Sequence, residues 1–169
     1  GFDTVGYNGV YLPMPIRPEW ESFKATVGSM IDMHSLHFRG ASVTIPHKQN
    51  LLRLVREAGG EVEPLAERIG AANTLVIDDH GRPQAYNTDY AAALDAVCDS
   101  LNGTRDDLAG QRVAVIGAGG VARALVAGFV RHGATVVIYN RTRQRAQTLA
   151  DQFNTGPGKV VVAPLEKLC

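Results

Sequence analysis

The run Gly117-Ala118-Gly119-Gly120-Val121-Ala122 constrains this chain more than any other stretch. Gly117, Gly119 and Ala122 fill the three positions of G-x-G-x-x-G/A. Small residues there allow a tight turn, a close backbone approach to a pyrophosphate, and close packing of helix on strand. Such a match is weak alone and strong in context. Here a short β-branched run, Arg112 to Ile116, precedes it, a helical run from Arg123 to Arg131 comes after it, and a second strand, Thr135 to Tyr139, comes next. That order predicts the first half of a Rossmann dinucleotide-binding domain, with the helix N-terminus facing the phosphates. Gly117, Ala118, Gly119, Gly120 and Val121 are the expected phosphate-loop contacts.

The residues just past the second strand select between cofactors. An NAD site places a carboxylate there for the ribose diol, and that carboxylate would repel a 2′-phosphate. This chain has Asn140-Arg141-Thr142, with Arg143 and Arg145 behind them and no acid before Asp151. Guanidinium forks suit a phosphate, so NADP is the expected cofactor. A merely solvated basic helix start is disfavoured, because cations at a helix N-terminus oppose its dipole unless an anion compensates.

Upstream the pattern differs. Asn102 to Asp107 is polar and turn-rich, and we read it as the boundary between a substrate domain over 1–107 and a cofactor domain over 108–169. Gly9 to Met14 reads as a strand with Val10 and Leu12 on one face. Pro18 to about Ser35 reads as a helix with an inward stripe of Trp20, Phe23, Val27, Met30 and Ile31, and Met30 and Met33 as core fillers. Ser42 to Ile45 is a short strand that Pro46 ends, and a helix then runs from His47 to Ala58 with Leu51, Leu52 and Val55 at helical spacing. Lys48 falls in its first turn, where the helix's positive end opposes the ammonium charge and favours an acid/base role. Thr44, at the strand end, brings a hydroxyl toward the same ligand. A solvated surface lysine is the plain alternative.

Further on, Val62 to Ile69 is a short helix ended by Gly70, and Ala72–Ile77 with Gln84–Tyr86 makes a hairpin. Asn73 and Asn87 sit near its open ends, where the plain reading is of turn or edge amides satisfied by backbone. Asp89 precedes a helix from Tyr90 to Leu101 with Ala93, Leu94 and Val97 inward. Thr88 or Asp89 can cap that helix, and Asp89 can also orient Lys48.

These residues resemble shikimate dehydrogenases. The likeness runs through the strand, Pro46 and Lys48, then Gly70-Ala71-Ala72-Asn73-Thr74-Leu75, Asn87-Thr88-Asp89, the loop at Gly117 and Asn140-Arg141-Thr142, in the family's order and at comparable spacing. Tyr86 to Tyr90 and Ala41 to Thr44 look closest to the dehydrogenase half of fused dehydroquinate dehydratase/shikimate dehydrogenase enzymes. The resemblance implies Lys48 as the catalytic acid/base, paired with Asp89. It implies Asn73 and Asn87 on substrate hydroxyls, and Asn140, Arg141, Thr142 and Arg145 on NADP. The implied activity is the reversible, NADP-dependent reduction of 3-dehydroshikimate to shikimate in chorismate and aromatic amino-acid biosynthesis. Quinate or quinate/shikimate dehydrogenase is a near alternative, and a ligand-sensing relative without turnover is an alternative of another class. Ala91-Ala92-Ala93 stands where the family often has a glycine, and Val121 where many members have alanine.

Seventeen basic residues balance seventeen acidic ones, so bulk attraction favours neither nucleic acid nor an anionic membrane. Two cysteines, Cys98 and Cys169, give no disulfide framework and suit a reducing cytosol. No run approaches a membrane span and no signal sequence is read, so a cytoplasmic protein is expected. The expectation is a small-molecule enzyme with no metal centre, monomeric or homodimeric. Against the family, both ends look cut: the first strand with its Ser-x-Ser pair, the later cofactor-domain strands and a substrate-binding glutamine are expected to lie outside these residues.

Overall fold

The computed structural model describes residues 2–168, so the expectation for Cys169 lies outside the described residues. Two sheets organise the α/β fold. The first is mixed, with order β1-β3-β4-β2, from Gly40–Ser42, Thr74–Ile77, Pro83–Tyr86 and Glu61–Val62. The second is parallel, with order β5-β6-β7, from Arg112–Ile116, Thr135–Tyr139 and Lys159–Ala163.

In the first sheet β3 and β4 form the expected hairpin, and β1 pairs antiparallel to β3 with Ser42 opposite Thr74. Thr74 in turn lies opposite Tyr86. The row Ser42–Thr74–Tyr86 therefore ends the sheet on one side, where the chain leaves β1 toward Lys48 and leaves β4 toward Asp89. Helix α1, Trp20–Asp32, buries Phe23 and Val27 one turn apart, and α2, Lys48–Glu57, buries Leu51, Leu52, Leu54 and Val55. These side chains pack with Leu75 and Ala85 in one core.

Helix α3, Pro64–Ile69, joins two cores: Ala66 belongs to that of the first sheet, and Leu65 and Ile69 to that of the second. It stops at Gly70, whose φ of +73° is the left-handed cap that only glycine adopts without cost. Helix α4, Asp89–Ser100, also leans on the cofactor half through Leu94 and Cys98. Gly128 permits the close approach of the helix Gly120–Arg131, since a Cβ there would stand 3.0 Å from Leu94 and 3.2 Å from Tyr90. The proposed boundary at 102–107 is thus a chain boundary across which one core continues. There Thr104 and Asp107 form a capping box around the turn Arg105–Leu108.

The cofactor half alternates as expected: β5, α5 (Gly120–Arg131), β6, α6 (Arg143–Phe153), β7. Ala124, Val126, Phe129, Ile138, Leu149 and Phe153 fill its core.

Several local expectations are corrected. Gly9 to Met14 forms no strand; Val10, Tyr11 and Leu12 are exposed, and Pro13 and Pro15 leave the run without a ladder partner. Met33 lies beyond α1 and is exposed. Strand β1 is shifted to Gly40–Ser42, so Thr44 and Ile45 belong to the turn into α2, where the Ile45–Pro46 peptide is cis. Neither Thr88 nor Asp89 caps α4 with its side chain. Among the described residues no helix is long and apolar enough to cross a membrane.

Candidate active site

A cleft of about 310 Å³ opens at the Ser42–Thr74–Tyr86 end of the first sheet. Thr44, Lys48, Asn73 and Asp89 line it, together with Tyr11, Ser42, Val43, Thr74 and Thr88. Lys48 enters from the first turn of α2 and Asp89 from the first residue of α4. Lys48 Nζ donates to Asp89 Oδ2 at 2.6 Å, with the two side chains 22% and 28% exposed. At that exposure the ammonium is held in place yet reachable from the cleft.

Asn73 organises the carboxylate. Its Nδ2 donates to Asp89 Oδ1 at 2.7 Å and to Thr88 Oγ1 at 3.0 Å, while its Oδ1 accepts the Thr88 backbone N–H at 2.9 Å and the Thr74 hydroxyl at 3.0 Å. Both carboxylate oxygens of Asp89 therefore carry donors from the chain, the arrangement that stabilises an ion pair against separation. Lys48 is anchored through its own backbone as well, because its carbonyl accepts the Ala72 N–H. Beside it His47 is buried and stacks on Phe23, its Nε2 bonding the Ile16 carbonyl at 3.2 Å and its Nδ1 the Asn50 amide at 3.1 Å. That ring ties the extended segment bearing Tyr11 to the start of α2.

Asn87 stands apart from the other site candidates. It is 3% exposed, donates from Nδ2 to the Ala71 carbonyl at 2.9 Å and accepts the Asp89 N–H on Oδ1 at 3.1 Å. It is not among the residues lining the cleft. Its amide instead makes the helix-start bond that Thr88 and Asp89 do not supply. The sequence reading missed Tyr11, Ser42, Thr74 and Thr88 as cleft residues. Thr88 and Thr74 adjoin singled-out asparagines, so their neighbours were a signal; Tyr11 lay in a run misread as strand.

In the cofactor half, Gly117 has a φ of +106° and its N–H donates to the Tyr139 carbonyl at 2.8 Å, which turns the chain sharply off β5. A Cβ built on Gly117, Gly119 or Gly120 would meet nothing within 4 Å, so the outer side of the loop is open space at the N-terminus of α5. A pyrophosphate fits such a place. Ala118 also borders a second cleft lined by Arg123, Arg145, Thr148, Leu149 and Gln152. Asn140 turns its amide onto the Thr142 carbonyl at 2.7 Å, shaping the entry to α6. Arg141, Arg143 and Arg145 are exposed and have no ion-pair or side-chain hydrogen-bond partner among the described residues. Arg123 instead reaches across to the Ile69 carbonyl at 3.1 Å, tying α5 to the end of α3.

An open glycine loop on a parallel β-α-β-α-β half, joined to a mixed layer whose cleft holds a lysine–carboxylate pair, defines a dinucleotide-binding α/β protein. Residues 1–75 match the family model for the shikimate dehydrogenase substrate binding domain. Residues 100–168 match that for shikimate / quinate 5-dehydrogenase. The chain belongs to the shikimate dehydrogenase family. It is 36% identical to the shikimate dehydrogenase (NADP(+)) of Methanosarcina mazei over 161 residues, 94% of this chain and 53% of that protein. The crystal structure of the Aquifex aeolicus shikimate dehydrogenase matches with a TM-score of 0.78 at 30% identity, covering 96% of this chain and 54% of that one. That of the Thermus thermophilus shikimate 5-dehydrogenase in complex with NADP(H) and shikimate gives 0.73 at 30% identity, over 98% and 56%. The chain spans about half the length of the curated relatives it matches.

Proposed function

We propose that the full-length enzyme carrying this chain is an NADP-dependent shikimate dehydrogenase of the cytoplasm, which reversibly reduces 3-dehydroshikimate to shikimate. The carrying observation is the 2.6 Å pair of Lys48 and Asp89 at a cleft walled by hydroxyl and amide groups. Reducing a ring ketone requires a proton for the oxygen as well as a hydride for the carbon, and the bound dinucleotide supplies the hydride. Lys48 Nζ gives its proton to the nascent alkoxide and takes it back in the oxidative direction. Asp89 holds the ammonium in place through the bond from Nζ to Oδ2. Thr44 offers a hydrogen bond to a ring hydroxyl from the cleft wall, and Asn73 offers one by exchanging its bond to the Thr88 hydroxyl. Asn87 is 3% exposed and does not line the cleft, so its direct contribution is the smaller.

On the cofactor side, the backbone of Gly117 to Val121 receives the pyrophosphate, and Arg141 and Arg145, with Asn140 and Thr142, receive the 2′-phosphate. Quinate oxidation is the second reading, since the model matching residues 100–168 describes both activities. The test is oxidation of shikimate and of quinate by the full-length enzyme, each with NADP and with NAD. The highest kcat/KM is expected for shikimate with NADP, by about tenfold or more over the other combinations. A preference for quinate or for NAD overturns the corresponding half of the proposal, and no turnover with any combination favours a ligand-sensing relative.

A further inference from the structure

Asp89 is presented by three successive backbone N–H groups, and each of them is bound by a side chain. Thr88 N–H donates to Asn73 Oδ1 at 2.9 Å, Asp89 N–H to Asn87 Oδ1 at 3.1 Å, and Asn87 N–H to Glu63 Oε2 at 3.0 Å. Asn73 and Asn87 are already site candidates; Glu63 is not. Its other oxygen, Oε1, accepts the Tyr90 hydroxyl at 3.2 Å. One carboxylate thus clasps Asn87 and Tyr90, the two residues that flank Thr88 and Asp89.

Glu63 is well placed to be rigid. Its backbone N–H donates to the Ala85 carbonyl of β4 at 2.9 Å, and Pro64 succeeds it at the start of α3. It occupies the N-cap position of α3 yet makes no side-chain cap bond to that helix, and its carboxylate is committed to the β4–α4 junction. Burial first, and then the Glu63 charge, hold the Tyr90 phenol above its ordinary range, which keeps the hydroxyl a donor. Glu63 itself is not among the residues lining the cleft.

We propose that Glu63 is a positioning residue for the Lys48–Asp89 pair, fixing the turn from β4 into α4 so that Asp89 Oδ2 meets Lys48 Nζ. The inference rests on the reading of Lys48 as the acid/base, and its test separates the two. In the full-length enzyme, Glu63→Leu removes both acceptors. Glu63→Gln keeps a carbonyl oxygen for the Asn87 N–H and an amide facing Tyr90. The leucine variant is expected to lose about tenfold in kcat with an unchanged KM for NADP, the scale of a lost charge-assisted hydrogen bond, while the glutamine variant returns to within about threefold of the parent. Amide hydrogen exchange at Asn87 and Asp89 should accelerate in the leucine variant and not in the glutamine variant.

Parent-like kcat and exchange in Glu63→Leu overturn the proposal. So does a fall in kcat matched by an equal loss of NADP affinity and unrelieved by glutamine, which marks a general loss of structure. Should the parent itself turn over neither shikimate nor quinate, the function falls and the exchange measurement alone decides whether Glu63 orders this junction. Glu63→Asp keeps the charge and withdraws the carboxylate by one methylene, so it serves where the leucine variant does not fold. About threefold lower kcat with faster exchange at Asn87 supports the proposal, and parent values in both overturn it.

Discussion

The two charged regions of this molecule are built in opposite ways. At the cleft beside the first sheet, Lys48 and Asp89 satisfy one another, and Asn73, Asn87 and Glu63 hold the segment that carries the carboxylate. At the start of α6, Arg141, Arg143 and Arg145 stand exposed beside the positive end of a helix, unpaired among the described residues. In the first region each charge has its partner within the chain, which fixes the ammonium in place. The second is electrostatically unfavourable until an anion arrives. The pair stands where we propose that a proton moves, and the arginines where we propose that a ligand's phosphate binds.

The largest effect expected from this contrast is on turnover. Lys48→Ala should lower kcat by about a hundredfold or more with little change in NADP affinity, the usual scale for losing an acid/base group. Equal turnover in variant and parent would break the substrate side of the comparison. A smaller effect sharpens the cofactor side. Raising the salt from about 0.05 M to about 0.5 M should weaken NADP binding several-fold and leave kcat at saturating cofactor nearly unchanged, because unpaired surface charges are screened more than a partly buried pair. Equal salt sensitivity of both quantities would erase the distinction.

The smallest effect lies away from both sites. Burial first, and then the Arg105 and Arg131 charges, depress His132 at the end of α5 below its ordinary value of 6.5, with Asp106 opposing them. The unfolded chain therefore takes up this proton first as the pH falls, and stability declines below about pH 6.5. His132→Gln should flatten the fall of the unfolding midpoint between about pH 7 and about pH 5, by about a degree or two. An unchanged slope would remove His132 from the account.

Much of this was legible in the sequence, for local reasons. The glycine loop, the Gly70 stop, the hairpin and the Lys48 helix start are each fixed by residues within a few positions of one another. Short, continuous β-branched runs such as Thr135–Tyr139, the pattern of a strand buried on both faces, were read at their true bounds. Gly9 to Met14 failed because alternation of apolar residues says nothing about whether a partner strand exists. Asn87 was visible as an amide at a hairpin end, but its burial against Ala71 and Asp89 is a tertiary fact. Glu63 gave no signal at all: its bond to Asn87 spans 24 positions, and an acid before a proline reads only as a helix start. The sharing of one core by α3, α4 and the cofactor half was hidden likewise, since a polar linker at 102–107 suggests separation.

The central claim is a division of labour: the unpaired arginines bind the cofactor's extra phosphate, and the paired lysine does the proton chemistry. Its most direct test is Arg141→Ala combined with Arg145→Ala in the full-length enzyme, with NADP and NAD titrated against parent and variant and kcat measured at saturating NADP. The predicted result is NADP binding weakened at least about tenfold, or about 1.4 kcal/mol, with NAD binding changed much less and kcat at saturation within about twofold of the parent. Parallel losses of NADP and NAD, or a fall in saturated kcat with NADP affinity spared, would contradict it.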